Sequence, residues 1–124
     1  MPIINAHIPE GYTANQKKAL LQNAKDVVMD TLAAPLENVR IVLNEFKAGD
    51  ALIAGDEHRP FVMLEAFLIT GRDTETKAAF IKALSDVTSA ALQVSDIDIR
   101  VLIHDMPKED MGLAGGISAL AAGR

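Results

Sequence analysis

The chain has 124 residues with a formal net charge of −5, 49% hydrophobic and 4% aromatic residues, and no cysteine. That length suffices for one core, necessarily aliphatic, and falls short of two ordinary domains. The acidic balance argues against nucleic acid, whose phosphates need a basic footprint. No apolar run approaches the ~20 residues of a membrane span, and without thiols there is no disulfide framework and no thiolate chemistry. No basic segment followed by an apolar stretch marks a secretory leader, so a cytoplasmic protein is expected.

In chain order, the Ile-rich run Pro2 to Ile8 predicts a strand that ends at the breaker group Pro9-Glu10-Gly11. Thr13-Ala14-Asn15-Gln16 matches a capping box, in which the Thr hydroxyl and the Gln side chain satisfy orphan amides at a helix start. Leu20, Leu21, Ala24, Val27, Val28, Thr31 and Leu32 follow at helical spacing, Pro35 stops that helix, and Val39 to Phe46 reads as a β-branched second strand. The plan then repeats. Phe61 to Ile69 is a strand, Asp73 a candidate N-cap, Phe80, Ile81, Leu84, Val87, Ala91 and Leu92 a helical stripe, and Ile97 to His104 the last strand.

A shift of 60 residues superposes the halves, placing Gly11 on Gly71, Lys17 on Lys77, Asp26 on Asp86, Leu32 on Leu92 and Arg40 on Arg100. Shared apolar spacing could arise by chance; shared glycine and arginine positions in one register point to duplication. The reading is a single domain, residues 1–124, of two pseudo-repeats, 1–58 and 59–124, joined near Gly55-Asp56-Glu57-His58-Arg59-Pro60. Strands joined through a long helix lie parallel with a right-handed crossover. The expected class is therefore α/β (α+β): two tandem β-α-β units forming a four-stranded sheet with both helices on one face. Ile4, Ile8, Val42, Leu64, Leu68 and Leu102 are expected on the opposite face, as an apolar patch too large for a monomer, so oligomerisation through the sheet follows.

Pro2 is the leading candidate for chemistry. Removal of Met1 would leave a secondary amine at the chain start, and a neutral amine can abstract a proton from carbon next to a carbonyl. An amino terminus ordinarily titrates around 7.7–8.0. An apolar surround and neighbouring cations both lower that value.

The first-half residues Pro2-Ile3-Ile4-Asn5, Glu10-Gly11, Gln16-Lys17, Ala34-Pro35-Leu36, Val39-Arg40-Ile41 and Asn44-Glu45 resemble the 4-oxalocrotonate tautomerase family. So does the closing stretch Met106-Pro107-Lys108-Glu109-Asp110-Met111-Gly112-Leu113-Ala114-Gly115-Gly116. The resemblance spans essentially the whole chain and looks like two such units in tandem. It implies a homotrimer with one Pro2 site per chain, because the repeat partner of Pro2 is the internal Val62. It also implies that Pro2 is the general base and that arginines hold a substrate carboxylate. The first family arginine falls on Tyr12 in one half, a departure, and on Arg72 in the other; the second falls on Arg40 and Arg100, either of which could come from a neighbouring chain. Met111 stands where the family often has an aromatic wall, and its thioether keeps that wall apolar. Tyr12 is a packing or rim residue, or a hydroxyl donor to a substrate oxygen.

The expected function is a cofactor-independent tautomerase acting on a small unsaturated 2-hydroxy or 2-oxo carboxylic acid. Two alternatives stand beside it: a dehalogenase, hydratase or decarboxylase of the same superfamily using a cationic Pro2 as acid, and a non-catalytic oligomeric binding scaffold. His7, His58 and His104 lack metal-ligand spacing, so no metal is expected. Gly112-Leu113-Ala114-Gly115-Gly116 lacks the Lys-Ser/Thr ending of a phosphate loop and reads as a hairpin turn.

Overall fold

Strand β1 (Ile3–Pro9) leads into helix α1 (Ala14–Leu32), and β2 (Arg40–Phe46) returns beside it. Strand β3 (Val62–Ile69), helix α2 (Thr74–Leu92) and β4 (Ile99–Met106) repeat the plan. These elements are those of a computed structural model that describes residues 2–124. Both helices start where the side chains dictate. The Thr13 hydroxyl accepts from the Gln16 amide at 3.1 Å while the Gln16 side chain accepts from the Thr13 amide at 2.9 Å, closing the capping box. Asp73 accepts from the Thr76 amide at 2.8 Å, and this bond holds its carboxylate below the usual pKa range. Each helix ends on a residue with left-handed backbone, Ala33 (φ 53°) and Gln93 (φ 52°), so the chain can turn back towards the sheet.

The strand order is β2-β1-β3-β4. Pairing is parallel within each unit and antiparallel between β1 and β3, where Ile3 faces Phe67 and His7 faces Met63. The units are alike in detail: Lys17 pairs with Glu45 and, 60 positions on, Lys77 pairs with Asp105, each tying helix to strand. Alternate residues of the two central strands, Ile4, Ala6 and Ile8 with Val62, Leu64, Ala66 and Leu68, are fully buried under the helices. Leu20, Val28, Phe80 and Leu84 meet them from above. Thr88 joins this core because its hydroxyl donates to the Leu84 carbonyl at 2.7 Å.

The composition of the open face differs from the sequence expectation. Ile4, Ile8, Leu64 and Leu68 lie in the helix-covered core, and of the six residues assigned to the open face only Val42 and Leu102 are there, 50% and 40% exposed. The register explains it. Val42 pairs with Asn5 and Leu102 with Glu65, so Ile4 and Leu64, one residue away, point through the other side. Ile81 likewise leaves the helical stripe and is 38% exposed. The open face carries Ile3, Val42, Met63, Phe67, Leu102 and Met106, so it is still apolar. At its centre sits a polar cluster: Glu65 bridges His7 (2.7 Å) and His104 (3.0 Å), and the His104 ring stacks on Phe67 with centroids 4.5 Å apart.

Phe80→Ala should cost about 3–5 kcal/mol in denaturant unfolding at fixed protein concentration, since the ring is fully enclosed; a loss below about 1 kcal/mol would contradict the packing. The hydrogen bond from His7, then that from His104, holds the Glu65 carboxyl below its ordinary pKa. A depressed acid adds stability above its unfolded pKa, about 4.3, and loses it as the pH falls through the lower folded value. Glu65→Gln should therefore flatten the decline of unfolding free energy between about pH 5 and pH 3, and an unaltered slope would refute the assignment.

Candidate active site

Four chain segments converge at the end of the sheet where β1 begins. The Pro2 carbonyl accepts from the Arg40 amide at 3.2 Å, fixing the start of β1 beside β2. Antiparallel pairing brings the far end of β3 to the same place, so the turn Ile69–Arg72 lies next to Pro2. Parallel pairing of β3 with β4, closed by the Thr70 amide on the Met106 carbonyl at 3.0 Å, delivers Pro107 and Lys108 there as well. The α1 exit adds Ala33, Ala34 and Pro35. The result is a cavity of about 430 Å³ with Pro2, Asn38, Arg72, Lys108 and Arg124 among its walls, within the range of small-molecule sites.

Pro2 is fully buried, with less than 2% exposure. Arg72 is half-buried and donates from Nη1 to the Ile69 carbonyl at 3.2 Å. Burial pushes its guanidinium pKa down, and the Asp105 carboxylate, itself paired to Lys77, pulls the other way. Gly71 precedes it at φ 129°, a backbone state side chains rarely adopt, and this turn aims Arg72 into the cavity. Among the described residues no ion pair engages Arg72, Lys108 or Arg124, and no acidic side chain lines the cavity. The arrangement suits a small anion held against Pro2.

The remaining candidates lie elsewhere in the single chain. Arg40 sits at the same end of the sheet, yet its Nη1 turns back onto the carbonyls of Glu37 (2.7 Å) and Val39 (3.1 Å), outside the cavity. Arg100 repeats that geometry on Ile97 (2.8 Å) and Ile99 (3.0 Å) at the opposite end, beside Met63. Both remain exposed, so either is open to a neighbouring chain. Tyr12 lines a second cavity, about 180 Å³, with Glu10, Phe46, Ala48, Glu57 and Arg59, and burial pushes its hydroxyl pKa up. Met111 is 5% exposed in the closing hairpin, where its carbonyl accepts from the Ala119 amide at 2.8 Å; it does not line the Pro2 cavity. The glycine-rich stretch is a hairpin, with Gly112 bridged to Ser118.

Lys108 and Arg124 are site residues that the sequence patterns did not single out. A signal for Lys108 existed in the repeat: its counterpart is Ala48, as the counterpart of Arg72 is Tyr12, and Ala48 and Tyr12 line the second cavity together. Arg72 and Lys108 stand where the proline is, and neither has a cationic counterpart where the proline is absent.

A family model described as tautomerase enzyme matches residues 2–58 and again 60–120. The wild-type fused 4-OT designated Q0, a symmetric trimer, superposes with a TM-score of 0.96 at 43% identity, over 98% of this chain and 99% of that one. Pt0534, in a form inactivated by 2-oxo-3-pentynoate, superposes equally well, with a TM-score of 0.96 at 38% identity over 98% and 99% of the two chains. The 2-hydroxymuconate tautomerase of Pseudomonas putida is 36% identical over 56 residues, 45% of this chain and 89% of that protein. Family-model matches in both halves and full-length likeness to fused trimers agree with the duplicated fold: the chain belongs to the tautomerase enzyme family, as two family units in one polypeptide.

Proposed function

We propose that the protein is a cofactor-independent isomerase that moves a proton within a small unsaturated 2-hydroxy or 2-oxo carboxylic acid, with Pro2 as general base. The observation that carries this reading is a buried Pro2 in a cavity walled by cations and free of acidic side chains. Once Met1 is removed, the proline nitrogen becomes a secondary amine. Its apolar surround and the nearby charge of Arg72 both disfavour the ammonium form, so its pKa falls below the ordinary amino-terminal range. The neutral amine takes the proton from one position of the dienol and, as ammonium, returns it to another carbon. The amine is regenerated, and neither metal nor redox partner enters the balance.

Arg72 holds the substrate carboxylate and opposes charge build-up at the 2-oxygen. Arg40 or Arg100 from a neighbouring chain completes the site in a homotrimer, with the apolar sheet face covered in the assembly. Tyr12 belongs to the second cavity, which has no proline amine. A cytoplasmic setting accords with the cysteine-free composition. Two relatives support the substrate class: one is named for 2-hydroxymuconate, and another is inactivated by 2-oxo-3-pentynoate, a small unsaturated 2-oxo acid. Asn38, in the cavity wall, is an amide rather than a carboxylate and cannot itself act as a base on water.

The decisive experiment pairs a substitution with a pH profile. Intact mass should show Met1 absent, and Pro2→Ala should lower kcat for 2-hydroxymuconate or phenylenolpyruvate by about 10²-fold or more. Because the neutral amine is the active form, kcat/KM should rise with pH through a pKa below about 7.7. Undiminished turnover in Pro2→Ala removes the reading; activity that falls as the amine deprotonates would make Pro2 an acid.

A further inference from the structure

We propose that Lys108 is a specificity-determining residue of the Pro2 cavity, which binds the second negative group of a dianionic ligand while Arg72 of the same chain binds the first. The proposal deepens the function proposed above and rests on the same cavity, but its test does not depend on proton transfer.

The two repeats differ at the positions that matter. Where the second unit faces Pro2, it carries Arg72 and Lys108; the corresponding positions of the first unit are Tyr12 and Ala48. These four residues pair off by cavity, Arg72 and Lys108 in one, Tyr12 and Ala48 in the other. The backbone that positions them is duplicated: the Thr70 amide bonds the Met106 carbonyl at 3.0 Å just as the Glu10 amide bonds the Phe46 carbonyl at 2.9 Å. At these two duplicated positions the cations are therefore confined to the wall beside Pro2; the second cavity's own cation, Arg59, comes from the connecting loop and is paired with Asp98.

Charge balance points the same way. Lys17, Lys25, Lys77 and Lys82 each have a carboxylate partner within the chain, as does Arg59 with Asp98 at 2.7 Å. Among the described residues, Arg72 and Lys108 have none, in common with Arg124 in the same cavity and with Lys18, Lys47, Arg40 and Arg100 outside it. The cavity beside the first unit's helix includes Glu45, and the one around Tyr12 includes Glu10 and Glu57, whereas no Asp or Glu lines the Pro2 cavity. One carboxylate neutralises one cation. A cavity of about 430 Å³ whose cations, Arg72, Lys108 and Arg124, have no carboxylate partner among the described residues fits a short ligand with an anionic group at either end, and Arg72 and Lys108 come from separate strand ends. The backbone around Lys108 is fixed by its own turn, which closes through the Asp110 amide on the Pro107 carbonyl at 2.9 Å, and the Lys108 carbonyl accepts from the Leu120 amide at 3.2 Å. The residue is half-buried.

The test uses equilibrium binding of two unreactive acids with the same six-carbon diene, trans,trans-muconate with two carboxylates and sorbate with one. The wild-type protein should bind muconate about tenfold more tightly than sorbate, as one charged hydrogen bond provides. Lys108→Gln should remove that preference by weakening muconate alone, and Lys108→Arg should retain it. Sorbate affinity, unchanged across the three proteins, reports that the cavity stays folded. A muconate preference that survives Lys108→Gln, an equal loss for both acids, or no preference in the wild type overturns the proposal. Because no proton moves in these measurements, an inactive Pro2 would leave their outcome unaffected, and the two readings fail separately.

Discussion

The antiparallel pairing of β1 with β3 is the constraint on which the molecule depends. Each β-α-β unit alone could only align its own two strands in parallel. The seam, with Ile3 opposite Phe67 and His7 opposite Met63, places the beginning of one unit against the end of the other. Pro2 thereby meets Arg72 and Lys108, which are distant in sequence and belong to the second unit. The same seam merges two small hydrophobic faces into one core. Burial there is complete: Ile4, Ala6 and Ile8 share it with Leu64, Ala66 and Leu68. Packing and site assembly thus rest on one line of hydrogen bonds.

Duplication makes the two ends of the sheet comparable. They share turn geometry, capping, helix-to-strand ion pairs and arginines folded back on carbonyls. They differ in what faces the cavity: Pro2, Arg72 and Lys108 at one end, Tyr12, Ala48 and Glu10 at the other. Asn38 and Asp98 occupy equivalent positions too, but Asp98 is buried and bound by Arg59. A charged pair at the second end thus stands where the first end offers an uncharged amide.

Much of this was legible in the amino-acid order because local rules are short-ranged. The capping box at Thr13 and Gln16, the cap at Asp73 and the stop at Pro35 each act over three or four residues, and each is realised. Strand faces were harder to read. Both faces of these strands carry apolar residues, so alternation alone could not separate Ile4 from Ile3; only the register with β2 does, by seating Ile4 beside Ile41 and Asn5 beside Val42. The His7–Glu65–His104 cluster was equally hidden, since its members come from three strands. Lys108 was obscured differently: it lies in a motif whose glycines draw attention to turn formation, and its meaning emerges only beside Ala48.

The loop from residue 47 to 61, with its Ile53–Asp56 bridge, carries the chain across β1 and ties the two units covalently. A tether of this kind turns the meeting of two halves into an intramolecular event at millimolar effective concentration. Two separate polypeptides joined along the same seam would drift apart in sufficiently dilute solution. Here Pro2 and Arg72 stay together at any dilution the fold survives.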